Sequence, residues 1–359
     1  MRDASLEFFR AILNEPSPPG CEGGVDELFE NYTKPFADEV RADLHGNVYA
    51  IKNPAAETRI MLAGHTDEIA FIVHYITEEG LLRFKGVGGH DSIIPVGQRV
   101  WVLGKERVPG AIGRKAVHLI EDDDERKKKP GLDDLWIDIG VSSREEALKL
   151  VSLGDRVVYQ HEMQMLAGDR VVARGFDNKM GCFVVAEALR LLSEDGGLHP
   201  KVGVYAVGTV QEEIGFRGAI TAAYTVDAIT GLAVDVSHAT DYPTVDRQRH
   251  GQLDIGKGPA ITLGAYVSPV TSEILIECAK EEGIPHQIEV AAECTGTDAT
   301  PMQVTRGGMS VGLLGVALRY MHTPCELLSL QDVENCAKLM AAYCRRITPE
   351  TDFRPRRPH

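Results

Sequence analysis

The chain has 359 residues, 43% of them hydrophobic and 25% charged, with a formal net charge of −15 at pH 7. That length exceeds the usual single domain and makes two domains with sizeable cores the default. The charge speaks against nucleic acid and anionic membrane as partners, and no apolar run approaches the ~18–20 residues that a membrane span needs.

The N-terminal MRDASLEFFRAILN carries an acid early and has no unbroken apolar stretch, so it reads as a helix rather than a signal peptide. Seven cysteines, Cys21, Cys182, Cys278, Cys294, Cys325, Cys336 and Cys344, are scattered without a C-x-x-C pair. Such a set fits a reducing compartment, and a cytoplasmic location is expected.

Further along, LEFFRAIL, MGCFVVAEALRLL, TSEILIECAKEEG and LQDVENCAKLMAAYCRRI have helical spacing and alternate with apolar strands at RIMLAG, KVGVYAVGTV, ITGLAVDV and MSVGLLGV. The alternation predicts an α/β fold with a mostly parallel sheet covered by helices on both faces. From about Ile72 to Met165 the character changes to short strands, FIVHYI, LLRFKGV, RVWVLG, LWIDIG and DRVVYQ, separated by Gly, Pro and Asp. This stretch, 72–165, reads as an inserted β-rich domain within a catalytic domain formed by 1–71 and 166–359. The basic RKKK at 126–129 follows EDDDE and reads as a solvated loop, and the tail TDFRPRRPH is expected to be mobile.

The chemistry sits at the ends of the apolar runs. RIMLAGHTDE places His65 and Asp67 after one run, GTVQEEIG places Glu212 and Glu213 after another, ITGLAVDVSHATD ends in Asp235, and VALRYMHTPCE supplies His322. VVARGFDNKMG adds Asp177 between a short strand and the helix that follows. Ligands of open α/β sheets bind outside the carboxyl ends of the strands, so these segments converge on one crevice. An acidic doublet there is costly to desolvate unless a cation satisfies it. Two His with several Asp and Glu and no Cys at ligand spacing suit zinc, cobalt or manganese, and the number of ligands suits two ions. Taken singly, each residue has a plainer explanation: a loop histidine, an N-cap at Asp177, a turn at Asp235, a solvated strand end at Glu212 and Glu213.

Together these motifs resemble the M42 metallo-aminopeptidases, which include glutamyl and deblocking aminopeptidases and the tetrahedral TET enzymes. The resemblance runs along nearly the whole chain, from EPSPPGCEGGVDELF through AGHTDEIAFIV, GFDNKMGC, VQEEIGFRGA, AVDVSHATDYP and GTDATPMQ to LRYMHTPCE. It implies a zinc-peptidase-like fold with a PDZ-like inserted barrel, and removal of the N-terminal residue of peptides through a metal-bridging hydroxide. Asp177 bridges the two ions in that picture, His65 and Asp235 complete one, and Glu213 and His322 complete the other. Glu212 is the general acid/base, Asp67 orients His65, and a cis peptide follows Asp177. The resemblance also implies dimers that assemble into a dodecamer. Two positions depart from its pattern: Ala317 stands where many members have a proline, and Phe176 where an aliphatic residue is common.

Thr297 and Asp298 of GTDATPMQ are candidate substrate-binding residues; an N-cap role for Asp298 is an equal alternative. Two rival activities share parts of the pattern. A deacylase or carboxypeptidase needs a cation for the substrate carboxylate, for which Arg249, Lys257 and Arg306 are candidates. A glycosidase, suggested by the endoglucanase label of some relatives, needs two separated carboxylates and no histidine pair.

Overall fold

A computed structural model describes residues 1–355. Its main sheet has eight strands, in the spatial order Glu39–Ala42, Val48–Lys52, Val202–Thr209, Thr58–His65, Thr230–His238, Ser310–Leu318, Ala260–Gly264, Gln287–Ala291. The sheet is mixed, which corrects the expectation of a mostly parallel one. The central strands Val202–Thr209, Thr58–His65, Thr230–His238 and Ser310–Leu318 run parallel. Glu39–Ala42 and Val48–Lys52 form an antiparallel hairpin that joins antiparallel to Val202–Thr209. The physical reason is the connection: the Asp43 carboxylate accepts the N–H groups of His45, Gly46 and Asn47 and closes a tight turn, too short for the crossover a parallel pair needs. Ala260–Gly264 also lies antiparallel to Ser310–Leu318.

Helices cover both faces. On Thr58–His65 the side chains alternate: Ile60 and Leu62 enter one apolar core, Met61 and Ala63 the other. The larger core packs under helices Asp3–Asn14, Gly23–Thr33, Phe176–Asp195 and Leu330–Arg346. The smaller one lies under Arg217–Val226 and Ala299–Val304. Arg217–Val226 is a helix that apolar periodicity did not flag, because its buried face is mostly small, Gly218, Ala219, Ala222 and Ala223 with Val226 at its end. Small residues let it sit close to the sheet.

The strands Ala70–Ile76, Leu82–Val87, Arg99–Leu103, Arg107–Gly113, Trp136–Asp138 and Arg156–Tyr159 close into a barrel with its own core around Phe71, Phe84, Val102 and Ile137. This region also holds the short helix Arg144–Leu150, capped by Ser143. A small three-stranded sheet joins Gln164–Met165, Arg170–Ala173 and Glu326–Ser329. Of the tail expected to be mobile, Phe353 packs into the larger core, and residues 356–359 lie outside the described residues. Among the described residues no helix is long and apolar enough to cross a membrane.

One close approach brings the elements of the site together. A Cβ on Gly64 would lie 2.3 Å from the carbonyl carbon of Gly181, so only glycine lets the helix Phe176–Asp195 press onto the end of Thr58–His65. That contact delivers Asp177 to His65.

Candidate active site

His65 ends its strand, and Asp235 lies near the end of the adjacent Thr230–His238. Val202–Thr209 stops before Glu212, and the chain turns: Gln211 has φ 57° and Gly215 φ 116°, with the Gly215 N–H bonded to the Glu212 carbonyl at 2.8 Å. The break lets the consecutive Glu212 and Glu213 both line one pocket, which an unbroken strand forbids. Asp177 leaves the helical conformation at φ −78°, ψ 101°, and the Asp177–Asn178 peptide is cis. The Asn178 side chain accepts the Gly181 N–H at 3.0 Å, so the capping bond is made by Asn178 and the Asp177 carboxylate is left for the pocket.

The side chains converge. His65 Nε2 lies 3.4 Å from Asp177 Oδ1 and 3.6 Å from Glu212 Oε2. His322 Nε2 lies 3.2 Å from Asp177 Oδ2 and 3.8 Å from Glu213 Oε1. Two groups could each hold a metal ion, His65 with Asp177 and Asp235, and Asp177 with Glu213 and His322; within each group the ligand atoms lie within 4.8 Å of one another. His65 Nδ1 donates to the Asp67 carbonyl oxygen at 3.1 Å, which turns Nε2 toward the carboxylates, where it could serve as a metal ligand. The Asp67 carboxylate accepts the backbone N–H groups of both Glu212 and Glu213.

Electrostatics mark the cluster as incomplete without a cation. Burial, with Asp298, Asp177 and Asp67 nearby, pushes the Glu212 carboxyl up to about 8 despite the opposing pull of His65. Burial and the Asp177 charge raise Glu213 and Asp235 well above the ordinary carboxyl range. Burial alone would lower His65, but Glu212, Asp177 and Asp67 hold it well above the usual imidazole value. His65 Nε2, Glu212 Oε1 and Glu213 Oε1 are buried without a hydrogen-bond partner. Buried carboxylates crowded to this degree and orphaned ligand atoms are what a divalent cation satisfies, so the donor set fits metal.

Around this cluster lie residues that spacing did not reveal. The buried Glu326 carboxylate accepts the N–H of Asp177 at 3.2 Å and that of His322 at 2.8 Å. Glu68, which follows Asp67, is fully buried between Arg174 and Lys179, and its Oε1 accepts the Ser17 N–H at 3.1 Å. The opening motif clasps the site from behind: Ser17 Oγ donates to the Thr66 carbonyl at 2.6 Å, and Glu22 accepts the Gln211 N–H at 3.2 Å.

Thr297 lines the pocket, whereas Asp298 does not. The Asp298 side chain makes no N-cap bond and accepts instead from the Thr209 hydroxyl, at the tip of the strand that precedes Glu212. Arg249, Lys257 and Arg306 are exposed and none lines the pocket.

A pocket of paired imidazoles and carboxylates at the strand tips of a mixed α/β sheet defines a metal-dependent hydrolase. Comparison with known proteins narrows the class. The sequence profile described as M42 glutamyl aminopeptidase matches residues 46–339. A lysyl aminopeptidase of Pyrococcus furiosus is 32% identical, the alignment covering 97% of this chain and 99% of that protein. The TET aminopeptidase of a marine sediment archaeon, Thaumarchaeota archaeon SCGC AB-539-E09, is 35% identical, with a TM-score of 0.92 over 97% of this chain and 98% of that one. The TET1 peptidase of Pyrococcus horikoshii, described as assembling into a tetrahedron or a large octahedral shell, is 30% identical, with a TM-score of 0.84 over 96% of this chain and 100% of that one. The chain belongs to the M42 peptidase family and is a metal-dependent aminopeptidase.

Proposed function

We propose that two divalent ions, zinc, cobalt or manganese, serve this aminopeptidase, with Asp177 bridging them. His65 and Asp235 complete one site in this reading, and Glu213 and His322 the other. The observation that carries it is the placement of Asp177 between two imidazoles, one at each carboxylate oxygen. A cation pair held there supplies Lewis acidity, which activates water and polarises a carbonyl.

The chain's own residues do the rest. Glu212, whose Oε1 has no partner, takes a proton from the attacking water and passes it to the nitrogen of the leaving peptide. Asp67 fixes His65 through its carbonyl and the two glutamates through its carboxylate. The acidic cluster also draws the free α-amine of a peptide's first residue, which confines cleavage to the first bond. Thr297 contributes a hydroxyl to the pocket wall.

The same reading divides the chain into a catalytic unit, 1–71 and 166–359, and an inserted, PDZ-like dimerisation unit, 72–165, built on the closed barrel. The Pyrococcus horikoshii peptidase, which can assemble into a tetrahedron or a large octahedral shell, supports a homo-oligomer, and in this reading dimers assemble into a dodecamer. Seven free cysteines support a cytoplasmic location.

The test compares free-amine and N-acetylated aminoacyl anilides with metal-loaded and chelated protein. Turnover of the free amines alone, abolished by chelation and restored by zinc, cobalt or manganese, is expected. Cleavage of blocked substrates or of β-glucan, or indifference to chelation, contradicts the reading.

A further inference from the structure

The pocket that contains the candidate metal ligands has a volume of about 380 Å³. Beyond those ligands, Val236, Leu313 and Met321 give it apolar wall, and no Lys or Arg is among its lining residues. Apart from Glu212, the proposed base, one lining carboxylate, Glu289, belongs to neither candidate metal group. It sits half-buried on the edge strand Gln287–Ala291, and its Oε2 accepts from Ser237 Oγ at 2.8 Å. Among the described residues, no cation lies within ion-pair distance of it.

Ser237 follows Asp235 by two positions on one strand, so both side chains share a face and Glu289 is tied to the strand that carries a candidate ligand. Gly315 makes the room: a Cβ there would lie 2.1 Å from Ser237 Oγ. The carboxylate is thus held in place at the pocket wall by a hydroxyl rather than by a cation.

Building on the aminopeptidase reading above, we infer that Glu289 determines specificity and that the pocket takes peptides beginning with Lys or Arg. The aliphatic stem of such a residue lies along Leu313 and Met321 while its terminal cation pairs with Glu289. A peptide beginning with Glu or Asp sets a carboxylate against Glu289 with no cation to offset it.

Metal-loaded enzyme is assayed with the anilides of Lys, Arg, Leu and Glu. Lys and Arg are expected to exceed Leu and Glu in kcat/KM by roughly tenfold or more, and Glu289→Gln to lower the Lys-to-Leu ratio by about tenfold. A preference for Leu or Glu, or a ratio that Glu289→Gln leaves unmoved, overturns the inference while the aminopeptidase reading stands. If no free-amine anilide is cleaved, that reading fails instead, and calorimetry on the metal-free protein decides the pocket. Lysinamide binding about tenfold tighter than norleucinamide, with the difference lost in Glu289→Gln, upholds the inference, and equal binding overturns it.

Discussion

Asp67 and Glu212 are joined through the backbone: Asp67 Oδ1 accepts the Glu212 N–H at 3.0 Å, while Oδ2 accepts that of Glu213 at 3.1 Å. One carboxylate therefore sets the position of the acidic doublet, and the carbonyl of the same residue orients His65. Asp67→Ala is expected to lower kcat about 10–100-fold and to weaken metal binding, because groups that orient ligands carry costs of that order. Steady-state kinetics with metal analysis checks this; near-normal kcat means that the doublet holds itself.

Glu212→Gln preserves size and removes the proposed base. It is expected to keep the metal content and lose turnover by about 10²–10⁴-fold, the usual contribution of positioned proton transfer. Retention of near-normal kcat would show that another group moves the proton.

Glu326 links Asp177 to His322, two residues far apart in the chain, by accepting a backbone N–H from each. In Glu326→Ala both donors lose their acceptor, the Asp177 N–H in a buried setting at a cost of about 1–3 kcal/mol and the part-buried His322 N–H at less. The expected result is a metal affinity reduced about 10–100-fold, with Glu326→Gln intermediate because its amide oxygen still accepts. Competition with a chelating dye measures it, and unchanged affinity in the alanine variant rejects the linkage.

How far the sequence discloses all this differs from residue to residue. His65, Asp177, Glu212, Glu213, Asp235 and His322 stand out because each follows an apolar run, and strand ends gather in one crevice. Glu326 and Glu68 do not, because they act on backbone N–H groups and on the buried cations Arg174 and Lys179, partners that no local spacing encodes. The barrel is legible in its short punctuated strands. The direction of the outer strands of the main sheet is not, since it depends on a hairpin turn at Asp43 and on the register of Ala260–Gly264 with Ser310–Leu318. Asp298 shows the same limit: a residue in N-cap position turns its carboxylate to Thr209 instead.

Glu68 gives a pH dependence of stability. Burial opposes its charge, but Arg174 and Lys179 outweigh burial and hold the carboxyl down at about 2, against an ordinary 4.5. A carboxyl depressed in the folded state contributes stability that is fully present above pH 4.5 and is lost as pH falls from 4.5 toward 2. That contribution is roughly 3 kcal/mol. Glu68→Gln is expected to be less stable at pH 7 by about that amount and to lose less stability than the parent between pH 4.5 and 2, as read by denaturant unfolding. Parallel pH profiles for the two proteins would rule out the ion-pair account.

The central claim is the pair of cations about the Asp177 carboxylate, and anomalous diffraction from zinc-loaded crystals tests it most directly. Two peaks about 3.5–4 Å apart on either side of that carboxylate are expected, with His322→Ala losing only the peak beside Glu213 and Asp177→Ala losing both. A single peak, or a pair remote from Asp177, contradicts the account.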